Sequence, residues 1–376
     1  MAAEGMRFEH CYSQPLCTPS RVQIMTGHYN VRNYIRFGMM DRKLTTFAHL
    51  MKRGGYKTCI VGKWQLGQEL DSPQHFGFNE SCLFHQTSDS HEYSNPVLTI
   101  NAKEVDYNEG EYRPDLCCNY ACDFIRANKQ SPFLLYYPMI LTHYPFEPTP
   151  DSADYDPTLK RAAPGRPKGN AKYFGEMVAY MDKLVGRIVT TLDEAGLRVN
   201  TILLFTGDNG TDRLVTSKMG GRTINGGKAS MADSGTRVPL IASWPGTIPA
   251  AAVTRNLVDF TDFLPTMCEA ARVSLPKDLI IDGQSFLPQL CGKTGQPRAW
   301  TYCWYPFRGD TKNPQIFARN RRYKLFNDGR FLDMKDGYDP RALKVNTLSP
   351  AERIAHEMLL GVLNKYSVAR PSNLAQ

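Results

Sequence analysis

With 376 residues, 42% of them hydrophobic, the chain has room for one large α/β domain with a smaller appendage and can bury a sizeable core. Its net charge of +8 comes from basic residues spread along the sequence with no long basic run, so nucleic acid is not the expected partner. Ten cysteines in a chain this long make neither a dense disulfide scaffold nor paired Cys-x-x-Cys knuckles, and no apolar run reaches the ~20 residues of a membrane helix.

Residues 1–10 lack the basic and apolar regions of a signal peptide. Cys17-Thr18-Pro19-Ser20-Arg21 and Met25-Thr26-Gly27 then read as a short helix, with Thr18 as N-cap, Pro19 at the first helical position and Gly27 as the stop. Its positive end would face the space beside Cys17, with Arg21 one turn in, which suits an anion. By itself, Cys17 reads equally well as a small buried hydrophobe. Leu44, Phe47, Leu50 and Met51 recur at helical spacing up to Gly54-Gly55, and a strand at 58–61 follows. Leu116, Tyr120 and Phe124 line a second helix ahead of a strand at 133–137. Cys117, Cys118 and Cys122 fall on that helix and read as packing, not metal ligands.

Met177, Tyr180, Leu184, Ile188 and Leu192 line a third helix, which ends near Gly196 and feeds a strand at 202–205. Residues 238–242 form another apolar strand, stopped by Trp244-Pro245-Gly246. Helices alternating with near-continuous apolar strands predict a mostly parallel sheet sandwiched by helices. From about Thr294 the pattern turns to short aromatic segments, at 300–304 and 323–326, with a turn at Asn327-Asp328-Gly329. The expected organisation is an α/β domain over 1–293 and a small antiparallel subdomain over 294–376.

Ligands in such sheets bind at the carboxyl ends of strands. Three strands are followed by polar residues of the needed kind: Lys63, His143 and the pair Asp208-Asn209. Asp208 and Asn209 offer hard oxygens in a glycine-flanked turn suited to a divalent cation such as Ca²⁺, although Gly-Asp-Asn-Gly is also an ordinary turn sequence. Lys63 is a point charge suited to a tetrahedral anion, although a lone lysine is more often a solvated surface group.

The run from Cys17 to Arg21 with Thr26-Gly27 resembles the signature of the type I sulfatases, within the alkaline-phosphatase-like superfamily. The resemblance implies that a maturation enzyme reading Cys17, Pro19 and Arg21 oxidises Cys17 to formylglycine. One hydroxyl of the aldehyde hydrate would attack sulfur; the other would lose its proton and expel sulfate. Arg21 then belongs to the catalytic set, as does His143, which matches the family histidine facing the leaving oxygen and takes the acid role. Lys63 and Lys228 match lysines that contact the sulfate, and Asp208 and Asn209 match metal ligands, joined by modified Cys17. The implied substrate is a sulfated small molecule or a sulfated carbohydrate.

Two departures bear on this expectation. Many sulfatases have histidine where Gln65 stands in Gly62-Lys63-Trp64-Gln65-Leu66-Gly67, and glutamine hydrogen-bonds but does not shuttle protons near neutral pH. Family members also begin with an apolar strand ending in paired aspartates, and residues 1–8 resemble the segment after it, so an amino-terminal strand is expected to be missing. Ca²⁺ takes about 6 to 8 oxygens, so without that pair weak metal affinity is expected. The family resemblance implies a periplasmic or secreted location if an upstream signal peptide is missing. Two other readings stay open: a vestigial or sulfate-binding protein without activity, and a formylglycine-dependent phosphonate or phosphate ester hydrolase. Residues 68–113 and the loop 148–169 are the expected pocket walls, and His75 is expected to pack.

Overall fold

The short apolar strands expected from the sequence are sorted, in the computed structural model, into three main sheets. The structure describes residues 1–84, 86, 93–158, 169–335 and 339–374. Parts of both expected pocket walls, 85, 87–92 and 159–168, lie outside them. The chain divides into two units, residues 1–47 with 202–376, and residues 48–201.

In the first unit a four-stranded sheet runs in the order Ala252–Asp259, Met6–Tyr12, Arg237–Ser243, Leu203–Thr206. Met6–Tyr12 pairs parallel with Ala252–Asp259 and antiparallel with Arg237–Ser243. The sequence reading placed no strand there, because Arg7, Glu9 and His10 interrupt the apolar run. The helix Cys17–Thr26 is buried along its whole length and packs against the turn Phe260–Asp262 and the helix Phe263–Ala270. Gly27 ends it in the left-handed region at φ 68°, as its position suggested.

The carboxyl-terminal part of this unit is a five-stranded antiparallel meander from Thr301–Tyr305 to Arg341–Leu343. The helix Pro350–Ser367 covers two of its strands. Its start is fixed by a capping box, in which Ser349 and Glu352 satisfy each other's backbone N–H groups. Tyr366 of this helix stacks on Tyr302 at 4.6 Å between ring centres, and both meet Tyr29 edge-on at 5.0 and 5.1 Å.

The second unit holds a mixed sheet in the order Lys103–Asp106, Val97–Ile100, Glu80–Phe84, Lys57–Lys63, Phe133–Tyr136, whose last three strands are parallel. The helix Arg113–Ala127 lies on Lys57–Lys63 and Glu80–Phe84, and the long helix Phe174–Glu194 packs against it. Cys117, Cys118 and Cys122 are buried on that face as free thiols, and among the described residues no cluster of metal-binding side chains occurs. The architecture is thus the expected α/β arrangement with an antiparallel carboxyl-terminal sheet, but the other two main sheets are mixed where a mostly parallel sheet was expected, because Arg237–Ser243 and Val97–Ile100 run antiparallel to their neighbours.

A buried polar network ties the first unit together. Gln14 Nε2 donates to Gln23 Oε1 at 2.7 Å, and Gln23 Nε2 to Asp259 Oδ1 at 2.8 Å. Asp262, beside it, is paired with buried Arg298, whose Nε reaches Oδ2 at 2.9 Å. Burial pushes the Asp259 carboxyl up to about 7, against the pull of Arg298. An unfolded aspartate releases its proton near 4, so between about pH 4 and 7 the folded chain holds a proton that the unfolded chain has lost, and stability falls as pH rises. Asp259→Asn should flatten this fall by on the order of 2–4 kcal/mol, measured as the difference in urea-unfolding free energy between about pH 4.5 and 7.5.

Candidate active site

Cys17 is itself the first residue of its helix, and the cap is Leu16, in an extended conformation at φ −135° and ψ 160°. This corrects the expectation that Thr18 caps and Pro19 opens the helix. The reason lies in the preceding turn: Ser20 Oγ donates to Gln14 O and accepts from Gln14 N–H, both at 3.0 Å, closing the chain around Leu16. Thr18 Oγ1 instead accepts the N–H of Gly38 at 3.2 Å. Cys17 is 3% exposed and Arg21, one turn on, 1%. Burial pushes the phenols of Tyr34 and Tyr305 up to about 12, so both stay protonated near neutral pH.

One other loop of this unit is bound to the Cys17 turn through backbone, and a second loop is bound to the first. The N–H of Ala229 donates to Pro15 O at 2.9 Å and that of Lys228 to Thr211 O at 3.0 Å. Gly210 N–H donates to Gly235 O at 2.9 Å, and Ser13 N–H to Thr236 O at 2.8 Å. Segments 13–17, 207–211 and 227–236 therefore form one stitched assembly bearing Cys17, Asp208, Asn209 and Lys228. Glycine is required where they meet: a Cβ on Gly210 would overlap Ser234 O, and one on Gly227 would overlap Ser234 Oγ.

Asn209 Nδ2 donates to Gly210 O at 2.9 Å, while Asn209 Oδ1 is buried with no hydrogen bond, an arrangement that fits a hard-cation donor. Asp208 makes no ion pair among the described residues. Together with position 17 these are few protein oxygens for Ca²⁺, and no cluster of three or more His, Cys, Asp or Glu side chains surrounds a cation site among the described residues. Lys228 is half-buried and also unpaired among them.

Lys63, Gln65 and His143 lie in the second unit. Lys63 ends its strand with its side chain buried, 7% exposed, and without an ion pair among the described residues. Such a cation is costly unless an anion arrives. Lys63 N–H donates to Pro138 O at 2.9 Å, tying it to the segment that carries His143. Gly62, at φ 111°, leaves room for the Pro138 carbonyl. Gln65 sits in the left-handed region at φ 47°. His143 Nδ1 meets Tyr144 O at 2.6 Å; a carbonyl only accepts, so Nδ1 carries hydrogen and the exchangeable proton is the one on Nε2. Tyr93 holds this turn, its hydroxyl donating to His143 O at 2.7 Å. His75 packs edge-on against Phe76 at 5.0 Å, as expected.

A family model, Sulfatase, matches residues 1–273 of this chain. The chain belongs to the sulfatase family. A second model, N-sulphoglucosamine sulphohydrolase, C-terminal, matches residues 227–347 of this sulfatase-family chain. It is 31% identical over 353 residues to N-acetylgalactosamine-6-sulfatase of Canis lupus familiaris, covering 83% of this chain and 63% of that protein, so it spans less than two thirds of that relative's length. Its fold is similar to Ps i-CgsB in complex with k-i-k-neocarrahexaose, with TM-score 0.79 and 20% identity, over 98% of this chain and 86% of that one. It is also similar to BT4656 in complex with its substrate D-glucosamine-2-N,6-O-disulfate, with TM-score 0.75 and 21% identity, over 99% and 93%.

Tyr34, Tyr305 and Tyr93 escaped the sequence reading, since a tyrosine in an apolar run looks like core. Gly210→Ala should destabilise the sulfatase-family chain by about 1–3 kcal/mol through overlap with Ser234 O. Gly186→Ala, in the helix Phe174–Glu194 with open space around its Cβ, should instead stabilise it by about 0.5–1 kcal/mol. Thermal and urea unfolding of both variants check the pair.

Proposed function

We propose that this chain hydrolyses sulfate esters, with Cys17 converted to formylglycine by a maturation enzyme. The observation that carries the reading is the stitched assembly: a buried Cys17 at a helix start, Arg21 one turn on, the Lys228 loop hydrogen-bonded to the same turn, and the Asp208-Asn209 loop hydrogen-bonded in turn to the Lys228 loop. A helix N-terminus, a guanidinium and an ammonium without an ion pair among the described residues together suit an anionic sulfate ester headgroup. For Lys63, Gln65 and His143 the support is their motifs, reinforced by the burial of Lys63 without an ion pair among the described residues and by the Nδ1 hydrogen of His143.

In the proposed reaction one hydroxyl of the hydrated aldehyde bonds to sulfur and loses its proton to water as the ester S–O bond breaks, and the leaving oxygen takes its proton from Nε2 of protonated His143. The second hydroxyl then gives its proton to the now neutral His143 Nε2 while the C–O bond to sulfate breaks, regenerating the aldehyde, which water hydrates again. An unmodified thiol has no second hydroxyl for this release. Asp208 and Asn209 would hold a hard cation such as Ca²⁺, which when bound supplies positive charge at the sulfate oxygens. The substrate class is a sulfated small molecule or carbohydrate; the two relatives in sugar complexes are consistent with the latter.

The test is turnover of an aryl sulfate against the matching aryl phosphate by protein co-expressed with a formylglycine-generating enzyme, with mass measurement of the Cys17 peptide. Sulfate turnover accompanied by the aldehyde mass is expected, and Cys17→Ala should lose at least about 1,000-fold in kcat. Preferential phosphate turnover, or an unmodified thiol in active protein, overturns the reading. Tyr93→Phe, which frees the His143 carbonyl, should slow esters with poor leaving groups more than nitrophenyl esters, by roughly ten- to a hundredfold in kcat/KM.

A further inference from the structure

The loop that carries Lys228 is anchored from beneath by buried charge. Asp233, at its far end, has a side chain 1% exposed, and Arg319 Nη1 donates to its Oδ1 at 2.6 Å. Lys324 Nζ, also 1% exposed, stands 3.7 Å from the same oxygen and donates to Met231 O. Arg319 and Lys324 are register partners on the strands Gln315–Arg319 and Tyr323–Phe326 of the carboxyl-terminal sheet. Their apolar seats are aromatic: the guanidinium lies 4.2 Å over Tyr12, the ammonium 3.9 Å over Phe317.

Charge balance alone does not call for this arrangement. Arg319 already neutralises Asp233, so Lys324 is a second buried cation on one carboxylate, and burial pushes its amine down to about 8. A buried charge beyond what pairing needs weakens a fold, and an apolar side chain of similar volume is often neutral or stabilising in its place. What Lys324 does supply is a donor for Met231 O, three residues after Lys228. The chain between them is tight: a Cβ on Gly235 would overlap Gly227 O, and Arg213 Nε donates to Lys228 O at 2.9 Å. Leu16, the cap of the Cys17 helix, packs on the same apolar cluster, which includes Met231, Tyr305 and Phe317.

We propose that Lys324, with Arg319 beside it, is a positioning residue: the carboxyl-terminal sheet clamps the loop 227–236 through Met231 and Asp233 and so sets where the Lys228 ammonium meets the sulfate group. This rests on the reading that Lys228 binds sulfate. Lys324 touches no reacting atom; it acts through the Met231 carbonyl.

The experiment compares the full, matured chain with Lys324→Met and Lys324→Arg, reading hydrogen exchange of peptides covering 226–236, the inhibition constant of inorganic sulfate, kcat and KM for an aryl sulfate, and the melting temperature. In Lys324→Met the Lys228 and Ala229 amides should exchange about tenfold faster or more while the rest of the unit stays protected. The inhibition constant and KM should rise roughly ten- to a hundredfold, kcat should fall less, and the melting temperature should hold or rise. Lys324→Arg, which keeps a donor, should restore sulfate binding. Unchanged exchange in 226–236, or a lowered melting temperature with faster exchange throughout the unit, overturns the clamp. Wild-type protein that neither turns over aryl sulfate nor is bound by sulfate overturns the functional reading instead, and the exchange result still decides the clamp.

Discussion

One backbone hydrogen bond, from Ala229 N–H to Pro15 O at 2.9 Å, joins parts of the chain more than two hundred residues apart and sets the geometry of the first unit's site. Two residues from that carbonyl is Cys17; one residue from that amide is Lys228. Because both are fixed through main chain, their separation does not depend on flexible side chains. The neighbouring bonds from Lys228 to Thr211 and from Gly210 to Gly235 extend the same constraint to Asp208 and Asn209. Such close approach of backbones leaves no room for Cβ atoms, which is why glycine stands at 210, 227 and 235.

How much of this was legible in the sequence depended on whether a residue acts through its own motif or through its neighbours. The helices at 113–127 and 174–194 and the strands at 57–63 and 323–326 announce themselves by periodicity, because each buries one face. Cys17, Asp208, Asn209 and Lys228 were readable as candidates because their glycines, prolines and spacing are local. The strand Met6–Tyr12 was not, since its charged residues break the apolar pattern and only pairing on both edges makes it a strand. Nor was the cap at Leu16, which depends on Ser20 reaching back to Gln14. Tyr93 and Tyr305 act at distances no local window spans.

Gln65 shows a different limit. Its left-handed backbone, φ 47°, belongs to the turn after the Lys63 strand, and glutamine occupies it with an amide that can donate and accept but not titrate. Position and backbone are therefore compatible with a site while the chemistry is narrowed. Among Lys63, Gln65 and His143, only His143 has an unperturbed titration range near neutral pH. Since its Nδ1 hydrogen is engaged by Tyr144 O, a single nitrogen is left to trade protons, and an acid role followed by a base role would fall to that same atom in turn.

The two buried lysines illustrate how burial alone misleads. Lys63 and Lys324 are both nearly inaccessible, and either would be flagged as an unusual buried cation. Lys324 has a carboxylate at 3.7 Å, a carbonyl acceptor and two aromatic rings beneath it, so the fold itself compensates its charge. Lys63 has no ion pair among the described residues. A folded chain tolerates that deficit where an external anion makes it good, and what separates a ligand-facing lysine from a structural one is the inventory of partners around the nitrogen. The same inventory sorts the carboxylates: Asp233 and Asp262 are each locked to an arginine, whereas Asp208 has no ion pair among the described residues. Asp208 and Lys228, charges without an ion pair among the described residues, sit on loops held by backbone bonds, and they mark the stitched assembly more sharply than any single motif.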